Sequence, residues 1–214
     1  MRTLYHFQHS PYSRRVRLAL AHKGLDVELR EAREKPESWD EAKRLVPNRT
    51  LPVLVDGGHA LGDSTAITHW LDRAYRDAPR LWPDGDARLV FEVASLVDVA
   101  LDTTVNLGTR YYPLRGDPSW STVKGEMVGR VAGAFDALAS RVTSLGRTTI
   151  AAGGWSAADM WLYTAVAWFE GMPARAASSQ NIAQILTLGL SMPAPLSKWA
   201  DAHRERPDVR ALTA

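Results

Sequence analysis

The chain has 214 residues, 45% hydrophobic and 23% charged, which is ample for a packed core and unlike a disordered or fibrous sequence. Its 26 basic and 24 acidic residues leave a net charge of +2, carried entirely by residues 1–77, so the basic stripe expected of a nucleic-acid binder is missing. There is no cysteine, which excludes disulfides, a Cys zinc site and a cysteine nucleophile together; any sulfur chemistry must come with a ligand. The six histidines show no HExxH or comparable spacing, so no metal site is expected. There is also no Gly-rich phosphate loop. Met1 to His6 lacks the apolar core of a secretory signal and no stretch reaches the roughly 18 apolar residues of a membrane span, so a cytoplasmic location with no membrane partner is expected.

Thr3 to Phe7 is rich in strand formers, Ser10-Pro11 announces a helix running to His22, and Asp26 to Arg30 alternates as a second strand. A helix near Glu37–Leu45 follows. Val53 to Val55 and His59 to Leu61 flank Asp56-Gly57-Gly58, a hairpin turn signal, and a further helix spans about Ser64 to Tyr75. Residues 78–86, with two prolines and a glycine, read as a linker. Beyond it, Leu89, Val93, Leu96, Val97 and Ala100 recur at helical spacing, as do Val123, Met127, Val131, Phe135, Leu138 and Val142. A third helix, Ala157 to Glu170, is apolar nearly all round and belongs in the middle of a bundle. The order βαβ, α, ββα in residues 1–77, then helices over 87–214, predicts a small α/β domain followed by an all-α domain.

Three local signals carry chemistry. Ser10 caps the first helix and Pro11 opens it, so an anion such as a thiolate is favoured there by free N–H groups and the helix dipole. Read alone, Ser10 is an ordinary N-cap. Leu51-Pro52 puts a proline at the start of a strand; a cis bond there would turn the Leu51 N–H and C=O outward, to pair with a peptide-like ligand as a strand neighbour does. Asp63 and Ser64 open the third helix, either as caps or as a grip on the carboxylate and ammonium of an amino-acid head group. Arg14, Arg15 and Arg17, the densest basic cluster, read as a solvated helix face. Ser156 with Asp159 reads as a capping box.

Ser-Pro-Tyr-Ser (10–13) followed by Arg-Val-Arg-Leu-Ala-Leu, then Val-Pro-Asn-Arg-Thr-Leu-Pro-Val-Leu (46–54), then Leu-Gly-Asp-Ser-Thr-Ala-Ile (61–67) resembles the N-terminal domain of the glutathione S-transferases. Gly154 to Asp159 and Glu205 to Arg210 are similar to that family's second-domain capping box and C-terminal phrase. The resemblance implies a thioredoxin-like domain, an all-helical domain and a homodimer. It further implies that Thr50 and Leu51 bind the backbone of glutathione, that Pro52 is cis, and that Asp63 and Ser64 hold the γ-glutamyl end; Lys35 is the candidate for the glycine carboxylate. Ser10 would then donate a hydrogen bond to the glutathione sulfur and favour its thiolate, since a free thiol with a pKa of about 8.5 is mostly protonated at neutral pH. The thiolate would attack a small apolar electrophile held near Tyr12, Asn106, Arg110, Tyr111 and Tyr112, late in the first long helix.

Ser-Pro-Tyr-Ser has oxygen at both positions where glutaredoxins have sulfur, which disfavours disulfide exchange. Thr50 stands where many members carry Gln. Tyr5 and Tyr12 are rival donors to the sulfur. A glutathione-dependent cis–trans isomerase, or a non-catalytic binding module on the same fold, are the alternative readings.

Overall fold

The computed structural model describes residues 1–33 and 35–212. Strand β1 (Thr3–His6) runs parallel to β2 (Glu28–Glu31) through the crossover helix α1 (Pro11–His22). Helix α2 (Pro36–Leu45) leads to β3 (Val53–Asp56), which is antiparallel to both β1 and β4 (His59–Gly62). The sheet order is β2-β1-β3-β4. Gly57 and Gly58 form the β3–β4 turn with φ of 57° and 83°, the positive pair a two-residue hairpin needs and glycine adopts without strain. Helix α3 (Ser64–Ala74) closes the α/β part.

Helix α1 buries Val16, Leu18, Ala19 and Leu20, and its arginines depart from expectation. Arg15 is 1% exposed and Arg17 7%. The solvated-face reading fails because α1 is packed between the sheet and the helical domain, so positions that look outward from a lone domain face a second one. Arg15 donates to Asp98 at 2.6 Å and its guanidinium lies over the Trp161 ring at 4.5 Å, which is how a buried cation avoids an unpaired charge.

Residues 78–86 connect the two parts, but they are clasped rather than loose. Leu81 and Trp82 are buried, and the Asp72 carboxylate of α3 accepts from both their N–H groups at 2.8–3.1 Å and from Lys23 Nζ at 2.9 Å. Burial alone would push the Asp72 carboxyl up; the Leu81 N–H, the Lys23 ammonium and the Trp82 N–H together hold it below its ordinary value.

The helical part contains α4 (Ala87–Asn106), α5 (Trp120–Leu145), α6 (Ala157–Glu170), α7 (Met172–Arg175), α8 (Gln180–Leu186), α9 (Ala194–Asp201) and α10 (Pro207–Arg210). The expected first long helix stops at Asn106 and continues as a π-helical turn, Leu107–Tyr111, and a 3-10 turn, Tyr112–Leu114. Twelve of the fourteen residues of α6 are buried, so its apolar circumference is the centre of the core. The capping box is formed: Asp159 accepts from the Ser156 N–H and hydroxyl and, in addition, from the Ile150 N–H. Burial pushes its carboxyl up to about 6 against those donors.

The C-terminal segment is pinned to α1 by Asp208, which meets His22 Nδ1 at 3.0 Å and Arg206 Nη2 at 3.0 Å. Burial raises the Asp208 carboxyl, but its His22 and Arg206 partners outweigh that and hold it down at about 2. A depressed folded-state pKa means stability that is present above the unfolded value near 4 and lost as pH falls toward about 2, here roughly 2 kcal/mol. Thermal unfolding followed between those pH values should show that acid-dependent loss in the wild type and a flatter profile in Asp208→Asn. Parallel profiles would count against the anchor.

Candidate active site

One end of the sheet gathers the predicted residues, and strand register explains why. Tyr5 pairs with Val53 and Val53 with Gly62, so residues 6–7 at the end of β1, 51–52 before β3 and 63–64 after β4 continue side by side where the ladders end. Ser10 follows β1 at that same end.

Ser10 has extended φ and ψ of −70° and 126°, and its Oγ accepts from the Ser13 N–H at 3.3 Å. The cap uses one lone pair of the hydroxyl and leaves its hydrogen free to donate, so capping and thiol activation are compatible. The rivals are committed elsewhere. The Tyr12 hydroxyl is 2.5 Å from Asp102 Oδ1, and burial followed by that bond raises its pKa. Tyr5 is 2% exposed, its hydroxyl accepts from Arg30 Nη1 at 2.9 Å, and burial followed by its hydrogen bond to the Glu41 carboxylate raises its pKa.

The Leu51-Pro52 peptide bond is cis. Leu51 lies outside the β3 ladder, and among the described residues its backbone N–H and C=O have no hydrogen-bond partner. Asp63 adopts φ of 78° and caps α3 by accepting from the Ala66 N–H at 2.9 Å. A non-glycine residue held in that region is strained, a condition that clusters at functional sites. Ser64 is buried beside it, and the first-turn N–H groups of Ser64 and Thr65 are unpaired among the described residues. Thr50 is exposed next to Leu51, and Lys35 is exposed at the start of α2.

A cavity of about 530 Å³ adjoins this end, lined in part by Thr65, Trp82, Phe91, Asp98, Asp102 and Met127. Asn106 and Tyr111 line it as well. Tyr12 touches its wall through Asp102. Arg110 and Tyr112 are not in the lining; Tyr112 packs edge-on against Trp120 at 6.0 Å. The π-helical turn is the reason, since it alters which residues of this segment share a face. Asp98 and Asp102 escaped the sequence reading, although two acids four residues apart in the apolar middle of a helix are a visible signal. Burial pushes the Asp98 carboxyl up, opposed by the Arg15 guanidinium. Among the described residues no group of His, Asp and Glu is placed to hold a metal ion, and no helix is long and apolar enough to cross a membrane.

Residues 4–79 match the family model of the glutathione S-transferase N-terminal domain. Residues 4–79 form a glutathione S-transferase N-terminal domain. It is 37% identical over 112 residues to glutathione S-transferase Z1 of Arabidopsis thaliana, covering 51% of each chain. It is 38% identical over 103 residues to a probable maleylacetoacetate isomerase of Vibrio cholerae, covering 46% of this chain and 47% of that one. The matched stretch thus spans about half the length of these curated relatives. The fold of the rice transferase GST1, solved in complex with glutathione, superposes with a TM-score of 0.70 at 26% identity over 98% of this chain and 90% of that one. A thioredoxin-like N-terminal domain followed by a helical domain is therefore the architecture of this chain.

Proposed function

We propose that this chain binds glutathione across the sheet end and activates its thiol for attack on a small apolar electrophile. The observation that carries the reading is the Ser10 hydroxyl, capped through an acceptor lone pair and free as a donor at a helix N-terminus, where a thiolate is favoured. The open Leu51 backbone and the unpaired N–H groups of Ser64 and Thr65 support the tripeptide's placement, with Thr50, Pro52 and Asp63 around it and Lys35 nearest the glycine end. Residues 1–77 would hold glutathione, 78–86 connect, and 87–214 supply the electrophile pocket, around Tyr12, Asn106 and Tyr111, with Arg110 and Tyr112 at its margin. A homodimer is supported by the half-exposed rings of Trp70 and Phe91, which a partner would cover. Detoxification in the cytoplasm fits a thiol-dependent activity, because that compartment keeps thiols reduced.

A second reading, a glutathione-dependent cis–trans isomerase of an acidic substrate, is favoured by charge beside Ser10. The Arg14 guanidinium has no hydrogen-bond or ion-pair partner among the described residues, and burial followed by the charges of Arg175 and Arg14 holds His9 below its ordinary pKa. Calorimetric titration with glutathione, followed by turnover of a chlorodinitrobenzene and of a cis-enol diacid, separates the possibilities. Binding with consumption of glutathione supports transfer, and turnover without consumption supports isomerisation. No heat at millimolar glutathione would overturn both and leave a non-catalytic module.

A further inference from the structure

Arg17 holds two distant parts of the chain at once. Its Nη1 donates to Gln8 Oε1 at 2.7 Å and its Nη2 to the carbonyl of Leu212 at 3.0 Å. Gln8 lies in the short loop between β1 and α1, two residues before Ser10. The loop backbone has its own ties: the Phe7 N–H donates to Ser13 Oγ at 3.2 Å, the Gln8 N–H to Glu31 Oε2 at 2.7 Å, and the Ser10 N–H to the Phe7 carbonyl at 3.1 Å. The Gln8 side chain is thus the point where this loop meets a group that also holds the C-terminal segment. The surrounding charges are His6, Glu31 and Arg14.

We propose that Arg17 is a positioning residue for the Ser10 hydroxyl: by clamping Gln8 on one side and the Leu212 carbonyl on the other, it sets the height of the β1–α1 loop over the sulfur site and couples that height to docking of the C-terminal segment. The inference rests on the reading of Ser10 as the thiol's donor. Charge-assisted bonds are roughly twice as strong as neutral ones, and the planar guanidinium fixes two acceptors in one geometry, which a lysine point charge does not. Arg17 does not itself reach the sulfur. Its effect passes through Gln8 and the loop, and a displacement on the order of 1 Å at a reacting group can cost a hundredfold in rate.

The test compares Gln8→Leu, Gln8→Glu and Arg17→Met with the wild type, using glutathione and a chlorodinitrobenzene. Its readouts are kcat, KM for glutathione, and ultraviolet absorbance of the bound thiolate against pH. In Gln8→Leu, kcat should fall roughly tenfold to a hundredfold while KM changes by no more than about threefold. The thiolate midpoint should rise by about one pH unit as the donor loses alignment. Gln8→Glu, which still accepts from Arg17, should restore both. Arg17→Met should shift the midpoint the same way; should that variant fail to fold, the two Gln8 variants decide alone. A Gln8→Leu protein with wild-type kcat and midpoint overturns the proposal while leaving the role of Ser10 intact. A wild type showing no bound thiolate at any pH overturns both.

Discussion

Replacing Ser10 with alanine is expected to lower kcat/KM for glutathione conjugation by about a hundredfold or more, the usual cost of removing one donor aimed at a developing or stabilised anion. The loss should appear in kcat rather than in glutathione binding, because the tripeptide's backbone would be gripped by Leu51 and the α3 N-terminus and not by the hydroxyl. The bound thiol should titrate nearer its free value of about 8.5. Ser10→Ala also removes the α1 cap, at about 1 kcal/mol, so unfolding must be measured beside activity. Tyr12→Phe gives the contrast: its hydroxyl is held by Asp102, and the thiolate titration should keep its wild-type midpoint. Wild-type turnover in Ser10→Ala would remove the serine from its role.

The second large effect concerns stability. Asp72→Ala should cost about 3–5 kcal/mol, because it strands a buried ammonium and leaves two backbone donors unpaired. Lys23 Nζ would retain the Pro79 carbonyl at 2.7 Å, and Leu81 and Trp82, whose N–H groups Asp72 now accepts from, are buried. For a chain of this size the melting temperature should drop by roughly 10 °C. The double variant Lys23→Met, Asp72→Leu should recover part of the loss by removing both charges together. Equal stability of wild type and Asp72→Ala in urea would show that the clasp contributes nothing.

Much of the candidate site was legible because it depends on local chemistry. Ser10-Pro11 marks a helix start whatever surrounds it, and Gly57-Gly58 marks a two-residue hairpin because few other residues take positive φ twice in succession. The proline before β3 was visible as well, whereas its isomer entered the reading through family resemblance, since an X-Pro bond is trans in most settings. The short helices after Glu170 carried little signal, being four to eight residues long, too brief for a periodic pattern.

Periodicity and turn chemistry, both properties of neighbouring residues, were enough for the element order, the two-part architecture and the cap at Ser10. The partners of buried charge were not readable in that way. Arg15 finds Asp98, Arg17 finds Leu212 and Lys23 finds Asp72 across 83, 195 and 49 residues of chain. The first two pairings follow from how α1 is enclosed by the second domain and the third from how α3 packs beside the end of α1, and a charge counted along a sequence looks solvated until the fold supplies the surface that covers it.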